Sequence, residues 1–388
     1  MELNPDVQRL KNLSRLPLSP PKQKESPVTF PPLASVLDQV ETMMLKYLTL
    51  PDPHFAMVLA LWIANTYTYH LFDYCGYLNI RSATPRCGKT KVLELLELLA
   101  EGTPPITTQP TPAVLFRSTR KVILLDEVDK LRNKDKDTYG EVMAILNCRF
   151  KRGSSVERVE RGEKGMPVKS YPVYGPVAFA GIESVTDTLE DRSFHIQMQR
   201  ATHRMPRFNK RIIGIHTTEL QAAMKGWAEA HADDLTAAYD SIQIGLPVLD
   251  GFDDRLQDIS EPLVILASLA DAERSDGHGE KILPRLLAGL KAAAGKRETS
   301  WRERALLSFL DMVTPRLDGR PDVFLSTAEL LTAFQQRDDE LSRIESGRAL
   351  AGFLKQFDLL HGTNTENTIR GYTVTLEWVK QWRERYEA

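Results

Sequence analysis

Three short runs of this chain hold residue types that could do chemistry together. The first is Ala83-Thr84-Pro85-Arg86-Cys87-Gly88-Lys89-Thr90, followed by Lys91. Its end sets a residue without a side chain, a flexible ammonium and a hydroxyl side by side. In a strand-to-helix turn that combination suits polyphosphate: backbone N–H groups face the anion, and the helix start adds positive potential. Lys89 would neutralise β- and γ-phosphate charge, and Thr90 would hold Mg2+. A phosphate loop ordinarily opens with Gly, where this chain has Ala83 at a strand end. The glycine needed for close approach is the one beside the lysine, and Gly88 is present. The second run is "VILLDE", ending in Asp126 and Glu127. Adjacent carboxylates after four apolar residues suit a metal shell (Asp126) and polarisation of an attacking water (Glu127). The third is "EDRSFHIQ", in which Arg192 follows an acid and opens a new strand. Singly, the loop could be an ordinary helix start and the acids a solvated strand end. In this order and context they describe an ATP site with hydrolysis.

The elements that must position these residues are legible. "YLNIRSA" reads as a strand entering the loop, and Val92, Leu95, Leu96 and Leu99 recur at helical spacing after it. "KVILLDEVDKL" reads as a buried parallel strand whose acids fall at its C-terminal edge, where ligands of parallel sheets bind. "PVAFAGI" is a further core strand; residues 154–174 form two β-like arms around "RGEKG". Region 206–298 is mostly helical, and 299–388 alternates helices with short strands. "FAMVLALWIANTYTYHLF" is interrupted by Asn65, Thr66, Thr68 and His70, so it reads as a buried helix and not a membrane span.

The chain has 388 residues, 42% of them apolar, and a formal net charge of −2. That length implies more than one domain, and the charge excludes global attraction to nucleic acid or membrane, so any DNA contact needs local basic patches. Cys75, Cys87 and Cys148 show no metal spacing and suit a reducing compartment. With no apolar signal core at the N-terminus, a cytoplasmic location is expected.

The full set of runs resembles the AAA+ branch of P-loop ATPases. More narrowly, it is similar to the family catalogued as the domain of unknown function numbered 3631, found in bacteria, archaea, phages and plasmids beside replication modules. The resemblance spans roughly residues 45–386 and is carried by "ALWIANTYTYHLF", "CGKTKVLELLELL", "AVLFRSTRKVILLDEVDKL", "GPVAFAGIESVTDTLEDRSFHIQMQR", "DRLQDISEPLVILASLADAE" and the tail through "VKQWRERY". Two departures stand out: "GIES" replaces Gly-Ile-Gly, and Ser260 replaces a Trp before "EPL". The resemblance implies an α/β P-loop NTPase fold of AAA+ type, a parallel-sheet core with a helical lid, and a C-terminal winged-helix domain. The expected divisions are a flexible Pro-rich arm (1–42), the ATPase core (43–205), the lid (206–298) and the winged helix (299–388).

In ring-forming relatives a neighbour delivers a cation to the γ-phosphate. Arg192 resembles that position; otherwise it is a structural arginine paired with Asp191 or Asp187. Arg255, at a lid helix start, is the candidate cation reading the nucleotide within its own chain, or else a helix-capping ion pair. A polar sensor at the end of the preceding strand would fall at Glu183 or Ser184.

For DNA, the hairpin at 154–174 could aim Arg161 and Lys164 into a ring pore, or merely decorate the subunit edge. In the tail, Leu350, Phe353, Leu354 and Phe357 form a core stripe, leaving Arg348 and Lys355 opposite and Arg370 in the wing; this pattern binds either duplex or protein. Two functions follow. One is an ATP- and Mg2+-dependent ring motor, expected to be hexameric, that acts on DNA as helicase, translocase or replication initiator of a mobile element. The other is a regulatory or scaffold ATPase whose oligomerisation recruits DNA or protein, as in anti-phage defence, without unwinding. Nuclease, protease or primase chemistry would have to come from a partner.

Overall fold

The structure, a computed structural model, describes residues 30–386 except 83, 119, 129, 131–135, 161–166, 183–184, 243–244, 275–278, 295–300, 338 and 364–367. It divides into two units, Met1–Arg297 and Glu298–Ala388, each with its own hydrophobic core.

In the first unit, helices α1 (Leu33–Tyr47) and α2 (Phe55–Thr68) precede the sheet. Every residue of α2 is buried, as expected for a helix apolar around its whole circumference. Its polar groups are satisfied locally: Thr66 donates to Ile63 O and accepts from Glu101 N, and Thr68 donates to Asn65. Truncating a side chain here, for example Leu59→Ala, should cost about 2–5 kcal/mol. Helix α1 begins inside the stretch expected as arm. Leu33, Val36, Leu37, Val40 and Met44 repeat at helical spacing and are buried, so this part of the expected arm is packed.

Seven strands follow: β1 (Tyr77–Arg81), β2 (Ile106–Thr108), β3 (Ile123–Asp126), β4 (Ser155–Val159), β5 (Val168–Pro172), β6 (Val177–Gly181) and β7 (Ser193–Gln197). Five of them form one parallel sheet in the order β2-β3-β6-β1-β7. β6 is buried throughout and sits between β1 and β3, pairing Ala178 with both Leu78 and Leu124. Helix α3 (Lys89–Leu99) follows β1, α4 (Pro112–Arg117) precedes β3, α5 (Lys136–Cys148) follows it, and α6 (Asp187–Asp191) precedes β7. β4 and β5 pair as the expected antiparallel hairpin, Val156 against Tyr171. Its turn lies outside the described residues.

Among the described residues the unit continues with helices α7 (Lys210–Ala230), α8 (Ala232–Asp240), α9 (Asp254–Glu273) and α10 (Ile282–Ala294). Their apolar faces join the same core cluster as the sheet and α2. A Cβ on Gly289 of α10 would stand 2.6 Å from Val58 and 2.7 Å from the His54 carbonyl oxygen, so the glycine permits direct helix-to-helix contact. The helices expected as a lid are therefore packed on the N-terminal helices as much as on the sheet.

The second unit contains α11 (Trp301–Leu317), β8 (Asp322–Ser326), α12 (Thr327–Gln335), α13 (Gly347–Lys355), β9 (Gly362–Thr363), β10 (Arg370–Thr375) and α14 (Leu376–Tyr386). The strands form an antiparallel sheet ordered β8-β10-β9. Ser326 and Glu329 build a reciprocal capping box at α12. Leu350, Phe353, Leu354 and Phe357 are buried as their spacing predicts. No helix among the described residues is long and apolar enough to cross a membrane.

Candidate nucleotide site

β1 ends at Arg81 and α3 begins at Lys89, so the loop between them lies at the C-terminal edge of the parallel sheet. Gly88 is the N-cap of α3 with φ +88°, a left-handed conformation available to glycine at little cost. It offers no side-chain cap, which leaves the first N–H groups of an eleven-residue helix facing the loop. Arg86 also holds positive φ, +64°, a conformation rare for side-chain-bearing residues and concentrated at functional loops. Thr84, Pro85 and Arg86 are exposed, Lys89 and Lys91 are half-buried, and Ala83 lies outside the described residues. Lys89 Nζ donates to Ser82 Oγ, whose own hydroxyl donates to Thr84 O at 2.6 Å.

Thr90 Oγ1 donates to Asp126 Oδ2 at 3.1 Å. The hydroxyl and the carboxylate expected to share a metal are thus adjacent, although they come from different elements. Both are hard oxygen donors, the chemistry Mg2+ selects. Glu127 follows at the strand end, its N–H held by Asp126 Oδ1 at 2.9 Å and its φ at +57°. Its carboxylate is ion-paired with Lys130.

Cys87 is nearly buried inside the loop, its Sγ 3.2 Å from Thr84 Oγ1. Burial pushes its thiol pKa up, but hydrogen bonds with Thr84 and Ser82 and the charges of Lys89 and Arg200 outweigh this and lower it. Arg200 was not anticipated. Its Nε donates to Pro85 O at 3.4 Å, which places an exposed cation at the loop. The signal was its position just past β7: that strand lies beside β1, so the chain leaving it passes the loop.

The other two arginines lie elsewhere. Arg192 immediately precedes β7, and its carbonyl accepts from Tyr77 N at the start of β1, at the N-terminal edge of the sheet. Its Nη1 donates to Asn147 O (2.8 Å) and Asn147 Oδ1 (2.9 Å), and its guanidinium carbon stands 4.9 Å from the Phe150 ring centre. Desolvation lowers its pKa, and Arg255 adds to the effect. Arg255, expected to read the nucleotide of its own chain, is not brought to the loop. It stacks on the same Phe150 ring at 5.0 Å and pairs with Asp258 at 3.0 Å. Phe150 O accepts from Cys75 N, just before β1, and β1 alone spans roughly 15 Å. Arg255 belongs to the opposite edge because α9 packs on the start of the strands: a Cβ on Gly76 would stand 2.9 Å from Ile259.

Of the residues expected at DNA, Arg161 and Lys164 lie outside the described residues, as do the sensor candidates Glu183 and Ser184. The hairpin stem bearing the first two is tied down: Glu160 accepts from Arg117 at 2.6 Å and from Tyr171 at 2.5 Å, and Arg158 pairs with Glu141 at 3.1 Å. Arg348 and Lys355 are exposed seven positions apart, on one face of α13, and Arg370 is exposed at the start of β10.

No family model and no curated protein matches the chain. Among solved structures it is similar to one titled as the active helicase Cch of SCCmec type IV, with a TM-score of 0.46 at 12% identity over 94% of this chain and 75% of that one. It is also similar to the A-form apo structure of the NrS-1 C-terminal region, with a TM-score of 0.37 at 12% identity over 90% of this chain and 77% of that one.

Proposed function

We propose that the chain is an ATP-hydrolysing P-loop enzyme of AAA+ type that assembles as a ring and acts on DNA, as a helicase, translocase or replication initiator of a mobile element. The observation that carries the reading is the contact of Thr90 with Asp126 beside Glu127, at the sheet edge where the Gly88–Lys89 turn opens helix α3. β6 lies between β1 and β3, and the strand ends carrying the loop and the acids fall at one edge of the sheet, where the γ-phosphate would be received.

Lys89 and the α3 N–H groups bind the β- and γ-phosphates. Thr90 and Asp126 would hold Mg2+, which offsets negative charge on those oxygens when bound. Glu127 accepts a hydrogen bond from water and aligns it with the γ-phosphorus. As the water oxygen bonds to phosphorus, the bond to the β–γ bridging oxygen breaks and its electron pair leaves with ADP. The water proton passes to Glu127 and then to solvent, leaving inorganic phosphate. Arg192 of a neighbouring copy is the cation that stabilises the charge developing between the phosphates.

The helices and antiparallel sheet of the unit Glu298–Ala388 support the winged-helix reading, and Arg348 and Lys355 of α13 with Arg370 of β10 are its proposed DNA face. Expected DNA contacts at Arg161 and Lys164 rest on the hairpin's location alone. One observation favours the alternative, a regulatory or scaffold ATPase: the stem cation Arg158 is already paired with Glu141, and Glu160 beside the stem is held by Arg117 of α4.

Steady-state ATP turnover measured without polymer, with single-stranded DNA and with duplex DNA separates these. Stimulation by DNA that disappears in Lys89→Ala supports the motor. Turnover indifferent to DNA supports the switch, and absence of turnover in the assembled protein removes both.

A further inference from the structure

Two arginines share one aromatic ring at the sheet edge remote from the chain's own phosphate loop. The Arg192 and Arg255 guanidinium carbons stand 4.9 and 5.0 Å from the Phe150 ring centre. The ring is 3% exposed and is fixed by Tyr74 at 5.1 Å and Tyr77 at 6.2 Å. Asn147 holds one guanidinium through two hydrogen bonds, and Asp258 holds the other. Both arginines remain partly accessible: the Arg255 side chain is 39% exposed and Arg192 is half-buried.

Like charges gathered on one ring repel, so the arrangement is poised for an anion that both can face. Guanidinium forks match phosphate oxygens, and two forks match a β,γ-phosphate pair better than one. The anion cannot be the chain's own ATP, because the length of β1 separates the two edges. A loop at one edge and cations at the opposite edge require a head-to-tail contact, in which one copy's cations meet the next copy's loop.

We propose that Arg255 acts with Arg192 as a paired cation on the phosphates of ATP held by a second copy of this chain. The inference rests on the ATPase reading above and deepens it: the hydrolytic site takes two arginines from the neighbour, and Phe150 sets their spacing.

Complementation tests it. Wild type, Glu127→Gln, Arg255→Met and an equimolar mixture of the two variants are compared for ATP turnover in the full-length chain. Met keeps an apolar stem against Phe150 and removes the charge. Each variant alone should fall below about a tenth of wild type. In the mixture, Glu127→Gln chains lend Arg255 to the intact Glu127 sites of Arg255→Met chains, restoring up to about a quarter of wild-type turnover if copies assort randomly. An arginine serving its own chain allows no such recovery, because neither variant then has a complete site. Arg255→Gln is carried in parallel, and the result is read from the variant that melts like wild type. Wild-type turnover without recovery in the mixture, or full activity of the Arg255 variant alone, overturns the pairing and leaves the ATPase reading standing. An inactive wild type overturns that reading and the pairing with it.

Discussion

Thr90 Oγ1 donates to Asp126 Oδ2 across 3.1 Å, linking the first turn of α3 to the end of β3 over 36 positions of sequence. The contact brings two hard oxygen donors together, and in the proposed ATP site these would hold the divalent cation. Asp126→Asn should raise the Mg2+ concentration needed for half-maximal turnover by about 10- to 100-fold. A Mg2+ titration of turnover at saturating ATP reads this, and an unchanged midpoint would remove Asp126 from the metal shell.

Glu127 is held at φ +57° with its N–H on Asp126, so its backbone is set by the strand end, and its carboxylate pairs with Lys130. Glu127→Gln keeps that shape and removes the base. Turnover should drop by about 10²–10⁴-fold, while affinity for a fluorescent ATP analogue stays within a factor of a few. Equal losses in both would make the residue structural.

Reversing Arg348, Lys355 and Arg370 to Glu should weaken duplex binding. For every DNA phosphate that is no longer neutralised, the salt dependence of log K should also flatten by about one unit. All three side chains are exposed and distant in sequence from the Gly88–Lys89 turn, so basal turnover should not move. Unaltered binding by anisotropy across a salt series would assign this face to a protein partner.

Cys87 offers a chemical readout of the loop. Its lowered pKa leaves more thiolate at neutral pH than an ordinary cysteine, whereas burial pushes the fully enclosed Cys75 well up. A maleimide should therefore label Cys87 ahead of Cys75, saturating ATP should slow that labelling, and the adduct should weaken nucleotide binding. Peptide mapping of the labelled protein checks the order; labelled protein with unchanged ATP affinity would refute the link.

Helix α1 is docked by Glu273, which accepts from Leu33 N at 2.9 Å, from Trp227 Nε1 and from His231. The Glu273 hydrogen bond is the main cause raising the His231 pKa, opposed by burial. A raised folded-state pKa contributes stability that is fully present below the ordinary histidine value and is lost as pH climbs through the folded one. The melting-temperature gap between wild type and His231→Gln should be wide at about pH 6 and close by about pH 9. A gap independent of pH would leave only the ring stacking on Trp227.

The elements around the proposed site were readable because their signals are local. Gly88, Lys89 and Thr90 occupy one turn, and helical spacing after them announces α3. Apolar residues before Asp126 announce a buried strand with acids at its exit. The stripe from Leu350 to Phe357 marked one helical face as core, and that face is buried. Such patterns follow from backbone periodicity and burial, which act over a few residues.

The placement of the arginines was not readable in the same way. Arg192, Arg200 and Arg255 are equally charged in sequence, and each stands near an element end. Strand order decides among them: β7 lies beside β1, so Arg200 at its exit reaches Pro85 while Arg192 at its entry faces Phe150. Packing of α9 on the strand starts then carries Arg255 to that same ring. Sequence by itself determined the local constructions, the glycine turn that opens α3 and the acids at the exit of β3, because each is set within a few residues. Only the tertiary structure decided which cations stand beside that turn, because the edge a side chain reaches depends on strand order and helix docking between residues far apart in the chain.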